Sequence, residues 1–407
     1  MNQQESRTAS AKPCRLREFT SNESLPGHAS SMMSSTSAAG DGMKGHFTLR
    51  TIQRVFVLGL LLASLAPAQA QVLATQRAGF GLPANQVAAP NTPGGGVVVG
   101  SYFYATDQVA GFRHYQPADP ANPDPVNAGI LQYDNAFADG MSIGGNAPCI
   151  PFCKTGQVAY DGNQTVFVTA FDQQKGQPGS VTFPGVHLLT IDPVTGVLQW
   201  GGPIAPNAGL GGNQPTAIAL GPDGNLYVGF LRNGNVWRIV NPFPNPFVPS
   251  TPIVQSVGTS PNGRPIRSLA FIGPDLYLAT SDSLAVIKNA IAKTCLGGCN
   301  GVAISDGFSG AAHVGLTTDG INRLYISING AGVYRYTVNT QAMTPISNSG
   351  TDPNGAVLSF AFVAGHTNML FLDRLGNLWI GDDTGDGRLN FSGRIWYISA
   401  GQLASIP

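Results

Sequence analysis

Residues 71–407 carry their apolar positions in short alternating runs, each broken by Gly, Pro, Asn or Asp, and the 3.6-residue spacing of an amphipathic helix is missing. Alternation of this kind predicts half-buried β-strands joined by tight turns. The runs also repeat one phrase. Leu220–Gly229 (LGPDGNLYVG) is followed by Gly234–Ile239 (GNVWRI), and Leu375–Gly381 (LGNLWIG) by Gly393–Ile398 (GRIWYI). Weaker copies are Asn322–Ser327 with Gly332–Tyr336, Pro274–Ala279 with Leu284–Lys288, Gln164–Thr169 with Val186–Ile191, and Gly96–Gly100 with Gly111–Tyr115. Units of roughly 50 to 60 residues suit a four-stranded propeller blade rather than a leucine-rich or ankyrin repeat.

An apolar run before each turn predicts the innermost strand, as in Pro215–Leu220, Ile266–Phe271 and Val357–Phe362. The Asp-Gly or Gly-Asn pair that follows supplies the positive φ of a hairpin, and the next run is β-branched or aromatic. The expectation is therefore an all-β, six-bladed β-propeller of four-stranded antiparallel blades. Only nine residues follow Ile398, too few and too polar for a full outer strand. Residues 72–80 are expected to fill that place, so that an N-terminal strand closes the ring and covers a sheet edge.

The first seventy residues have a different character. Residues 1–42 are rich in Ser, Ala and Thr without apolar period and are expected to be a disordered leader. Residues 43–70 read as a secretory signal peptide: Met43, Lys44, Arg50 and Arg54 precede the apolar run Val55–Leu65, and Ala68-Gln69-Ala70 offers a small-residue cleavage site before Gln71. Eleven residues rise only about 16 Å as a helix and do not cross a ~30 Å hydrocarbon core. Met43 opens a normal n-region and is the expected true start. A secreted or periplasmic propeller over 71–407, with no membrane span after cleavage, follows.

Composition narrows the chemistry. The chain holds 52 Gly and 30 Pro, and only 11% of its residues are charged. All three Glu (Glu5, Glu18, Glu23) precede the cleavage site, so the mature chain has 18 Asp and no Glu against 15 basic residues, a net charge of −3. No nucleic-acid partner is expected from such a surface, and a monomer is. Cys149 and Cys153, and Cys295 and Cys299, share a C-x-x-x-C spacing, which in an oxidising compartment predicts two local disulfides rather than a thiolate metal site. His114, His187, His313 and His366 carry no signature around them, and Trp200, Trp237, Trp379 and Trp396 fall at strand positions that suit blade-to-blade packing. The Pro-rich stretches 117–125 and 242–252 read as extended connectors.

The phrases LGPDGNLYVG and LGNLWIG, each followed by Gly-x-[Val/Ile]-Trp, resemble the NHL-repeat and SMP-30/gluconolactonase-like six-bladed propellers, in particular secreted bacterial members of unassigned function. The resemblance covers most of 71–407 as architecture and is specific in its last four units. It implies, for the lactonase arm, a divalent cation in the central channel held by a glutamate, asparagines and an aspartate. The mature chain has no Glu for the first of these ligands. Streptogramin-lyase-like propellers share the Gly-Pro-Asp-Gly-Asn-Leu phrase and imply a His general base.

The register itself offers a ring of oxygen ligands. Just beyond the second strand of successive units stand Asp107, Asp172, Asp282, Asn329, and Asp382 with Asp383, which together are expected at one mouth of the channel. Asp382, Asp383 and Asp386, spaced around flexible glycines, suit a Ca²⁺ loop without the glutamate ending of an EF-hand. The first function expected is a non-catalytic binding or scaffold module that presents one face to a protein, glycan or small ligand. The alternative is a metal-dependent lactonase-like hydrolase using Ca²⁺ or another divalent cation.

Overall fold

The chain divides into two units, Met1–Ala68 and Gln69–Pro407. The structure, a computed structural model, describes residues 71–79, 93–100, 102–107, 111–117, 131–133, 155–170, 185–206, 214–243, 253–293, 299–362, 369–383 and 393–407, all in the second. The expected leader and signal peptide, residues 1–70, lie outside these residues, as do Cys149, Cys153, Cys295, Asp172, Asp386, His366 and most of both Pro-rich stretches.

The alternating runs form strands in chain order. After β1 (Ala74–Gly79) come five sheets, each of four antiparallel strands. The first holds β2 (Pro93–Val99), β3 (Tyr102–Asp107), β4 (Gly111–Pro117) and β5 (Leu131–Tyr133). The second holds β6 (Thr155–Tyr160), β7 (Thr165–Ala170), β8 (Gly185–Ile191) and β9 (Leu198–Pro206), and the third β10 (Pro215–Leu220), β11 (Leu226–Phe230), β12 (Asn235–Val240) and β13 (Ile253–Thr259). The fourth holds β14 (Ile266–Ile272), β15 (Asp275–Thr280), β16 (Leu284–Ile287) and β17 (Val302–Ala303), and the fifth β18 (His313–Thr318), β19 (Arg323–Ile328), β20 (Gly332–Thr337) and β21 (Ala342–Ser347). The protein is an all-β propeller with four-stranded antiparallel blades.

Six four-stranded blades were expected; five are found, beside a sheet of six strands. This last sheet has the order β23-β22-β1-β26-β25-β24, with β22 at Ser349–Thr351, β23 at Val357–Ser359, β24 at Leu370–Leu372, β25 at Leu378–Asp383 and β26 at Gly393–Ile398. Strand β1 lies antiparallel to β26, Gln76 opposite Trp396, and parallel to β22, Ala74 opposite Gly350. Gly350 is needed at this crossing, because a Cβ there would lie 2.4 Å from the Trp396 ring and 2.8 Å from Ala74 O. Two expectations of register are corrected. Val357–Phe362 is not an innermost strand: Val357 is 60% exposed at the sheet's far edge, and Leu370–Leu372 begins the row β24-β25-β26. Gly96–Val99 belongs to β2, the first strand of its sheet, so that copy of the phrase is displaced by one strand. The C-terminal tail forms a short helix α1 (Ala400–Ala404), capped reciprocally by Ser399 and Gln402 and pinned by buried Leu403.

The first strands β2, β6, β10, β14 and β18 each pack against the next, β18 packs on β24, and β24 on β2. One apolar cluster fills each of these junctions, for example Ala217, Val236 and Val257 against Leu269, Leu276 and Leu278, or Phe103 and Ala105 against Met369, Trp379 and Ile395. Trp379 and Trp396 take the packing role expected of them: both are fully buried, and Trp379 meets the rings of Phe103, Phe371 and Tyr397. Trp237 meets Phe230 edge-on, and the Trp200 side chain lies outside the described residues.

Candidate functional site at the hub

The turns between first and second strands engage Asp161, Asp223, Asp319 and Asp373. Asp161 accepts the backbone N–H groups of Asn163, Gln164 and Thr165, Asp319 those of Ile321, Asn322 and Arg323, and Asp373 those of Leu375 and Asn377. The repeated phrase owes its letters to this turn. In one copy Asp223 accepts from Asn225 Nδ2 at 2.8 Å and Tyr227 OH at 2.9 Å; in another Asp373 accepts from Asn377 Nδ2 at 2.9 Å and Trp379 Nε1 at 3.0 Å. The motif therefore builds the end of the strands opposite the expected mouth.

At the mouth end each first strand of the five blades opens on a register shift, between Pro93 and Gly96, Thr155 and Val158, Pro215 and Ala217, Ile266 and Ser268, and His313 and Gly315. Bulges of this kind take a residue out of the pleat's alternation and re-aim its side chain. Hydroxyls then tie sheet to sheet. Thr106 Oγ1 donates to Gly156 O at 2.6 Å, Thr169 Oγ1 to Thr216 O at 3.2 Å, Thr216 Oγ1 to Ile266 O at 2.8 Å, and Ser268 Oγ to Leu316 O at 3.1 Å. Leu372 N donates to Thr317 Oγ1 at 3.4 Å and Met369 N to Pro93 O at 2.8 Å, which completes the circuit.

Gln157 occupies the hub itself. Buried on β6, its Oε1 accepts from Ile218 N on β10 and Leu269 N on β14, each at 3.2 Å, and its Nε2 donates to Ser268 Oγ. One side chain thus joins three sheets and forms a floor between the first strands. The strands approach closely here: a Cβ on Gly95 would lie 2.7 Å from Val158 N. Arg267, one residue before Ser268 on the β14 bulge, is 8% exposed, and its guanidinium has no hydrogen-bond or ion-pair partner among the described residues. Burial alone lowers its pKa from the ordinary value.

His313, at the start of β18, is fully buried between Ala311 O at 2.9 Å from Nδ1 and Asp306 Oδ2 at 2.6 Å from Nε2. Burial pushes the Asp306 carboxyl up, but the hydrogen bonds from His313 and Phe308 N more than reverse this and hold it below the ordinary carboxylate value.

Of the residues expected to hold a cation, Asp172 and Asp386 lie outside the described residues, and the described ones stand on the second-to-third-strand turns or strand ends. Asp382 is fully buried on β25; Oδ1 accepts from Arg394 Nε and Trp396 Nε1, both at 3.0 Å, and Oδ2 accepts from Arg394 Nη2 and from Ala361 N at 3.1 Å. Asp282 pairs with Arg264 at 2.7 Å and accepts from Thr280 and Ser283. Asn329 is half-buried, Asp383 is buried beside Asp382, and Asp107 ends β3 with its side chain outside the described residues. Among the described residues no group of three or more His, Cys, Asp or Glu is placed to hold a metal ion. A carboxylate whose two oxygens already accept four donors does not fit a Ca²⁺ ligand. Cys299 is disulfide-bonded. Gln157 and Arg267 escaped the sequence reading because no motif surrounds them; the available signal was a charged residue in Ile266–Phe271, where the sibling strand Pro215–Leu220 has none.

No protein-family model and no curated protein matches the chain. Among solved structures it is similar to a structural-genomics protein of unknown function from Bacteroides thetaiotaomicron VPI-5482, at 12% identity over 80% of this chain and 74% of that one, TM-score 0.50. Similar too are a PQQ-bound aldose sugar dehydrogenase from Streptomyces coelicolor (14% identity, 81% and 97% of the chains, TM-score 0.47) and the calcium-binding protein regucalcin from Agrobacterium tumefaciens strain C58 (14%, 76% and 92%, TM-score 0.44). At these identities the likeness is one of fold, and the fold is the β-propeller.

Proposed function

We propose that the mature chain is an exported, non-catalytic binding module: a ring of six wedges in which the six-stranded sheet serves as the sixth blade and β1 fastens the ring, with its ligand taken at the hub mouth. What supports this over the lactonase alternative is the engagement of Asp382 with Arg394, Trp396 and Ala361 N, since that carboxylate heads the expected cation set and has no lone pair left to offer. The absence of Glu from 71–407 weighs the same way, as does the Gln157 side chain, which spans three first strands at the hub. Monomeric state and cleavage before Gln71 belong to the proposal; N-terminal sequencing and the mass of the exported protein test them.

The functional test uses protein lacking residues 1–70, assayed on a panel of γ- and δ-lactones with Ca²⁺, Zn²⁺ or Mn²⁺. No metal-dependent turnover above the no-enzyme rate is expected. Turnover that rises with a divalent cation and disappears in Asp382→Asn would overturn the binding reading.

A further inference from the structure

Four arginines are buried among the described residues: Arg238, Arg267, Arg335 and Arg394. Three have hydrogen-bond partners, although Arg335 Nε has none among the described residues. Arg394 meets Asp382 and Ser359 O, Arg238 meets Gln255 and Ile291 O, and Arg335 meets the carbonyl oxygens of Ile406 and Pro407. Arg267 has no such partner among the described residues, and its Nε is buried without one. A guanidinium does not shed its proton in a protein, so among the described residues nothing compensates this largely buried charge, a costly arrangement for a fold to hold.

Its position says where an answer would come from. Ile266, before it, packs towards the third sheet with Ala217 and Val236. Ser268, after it, bonds to Leu316 of the fifth sheet. The bulge between them takes Arg267 out of that alternation, at the mouth end of the innermost strand and next to the residues that hold the Gln157 floor. The first strands bring no second basic side chain beyond His313, which is already engaged by Asp306 and Ala311 O. One isolated guanidinium matches a monoanion, and its planar fork matches the two oxygens of a carboxylate; a phosphate dianion would ask for more positive charge.

We propose that the hub mouth is a carboxylate-binding site in which Arg267 takes the carboxylate of a small organic acid through paired N–H···O bonds. The close approach of Gly95 and Gly156 to neighbouring backbone limits the group that enters to something small. The inference rests on the binding reading above and names its ligand class.

The test is thermal unfolding and titration calorimetry of the mature protein with sodium acetate, sodium gluconate and inorganic phosphate, at constant ionic strength against chloride. Wild type, Arg267→Met and Arg267→Lys are compared. Near saturation acetate or gluconate should raise the wild-type Tm by about 2 °C or more. Arg267→Met should be more stable than wild type without ligand, because an unpaired buried charge is gone, and should weaken acid binding at least 10-fold. Arg267→Lys keeps the charge without the fork and should bind between the two, which preserves the test if the Met variant fails to fold. The proposal is overturned if neither acid moves the wild-type Tm, if phosphate alone does, or if the acid shift survives in Arg267→Met. Lactone turnover would sink the non-catalytic reading while leaving an acid-dependent shift in place, so the two fail separately.

Discussion

Replacing Gln157 by Leu tests whether one amide holds three sheets at the hub. The side chains are close in volume, so packing changes little, but Leu accepts nothing. Ile218 N and Leu269 N, each 3.2 Å from Oε1, would be left buried without an acceptor, and Ser268 Oγ would lose the Nε2 donor while keeping its bonds to Leu316. An orphaned buried N–H costs about 1–3 kcal/mol, and two at the long end of hydrogen-bond distance give about 2–4 kcal/mol together. At about 2 °C per kcal/mol for a chain of this size, Tm should fall by about 4–8 °C. Urea unfolding followed by tryptophan fluorescence should show the loss in the midpoint with an unchanged m-value. A Gln157→Leu protein within about 0.5 kcal/mol of wild type would refute the idea that this amide is a structural tie, and the floor of the proposed site would go with it.

Other outcomes follow from the same contacts. Asp382→Asn should cost about 3–5 kcal/mol, because it leaves Arg394 charged and buried, and calorimetry should find no change in divalent-cation binding; a lost Ca²⁺ heat would return Asp382 to the role of ligand. For Asp306 the folded carboxyl sits below its ordinary value, so its stabilisation is full above the unfolded pKa near 4 and is lost as pH falls through the lower folded one. Asp306→Asn should accordingly flatten the acid limb of the stability–pH curve, and an unaltered limb would assign that loss to other carboxylates. Gly350→Ala, driving a methyl into the Trp396 ring, should lower Tm by several degrees and reduce amide-exchange protection over β1 and β22 before the five blades are affected.

Blade material was readable because it is local. A turn that requires positive φ and a strand that buries every second residue leave their marks within ten residues, so Leu220–Gly229 and Leu375–Gly381 predicted hairpins that β10–β11 and β24–β25 form. Where the reading slipped, the deciding contacts were distant. Val357–Phe362 has the letters of an innermost strand, yet Phe360 and Phe362 are drawn to Trp396, and Val357–Ser359 pairs with β22 instead. Site chemistry was less legible still. A turn aspartate such as Asp373, an ion-paired one such as Asp382 and a metal ligand look alike in one dimension; what separates them is which donors the fold brings within 3 Å. Gln157 gains its meaning from partners 61 to 112 positions away, and Arg267 from having none among the described residues.

The pairing of Ala74–Gly79 with Gly393–Ile398 has a consequence for biogenesis. Translated roughly 300 residues before its antiparallel neighbour, Ala74–Gly79 must wait unmated while the five four-stranded sheets between them are made. Such a long-range union is slow to form, and until it does the waiting segment offers a bare edge to other chains. A ribosome stalled before Gly393 should therefore release a sticky product, and a chaperone with affinity for extended peptides would find its natural client in those few residues.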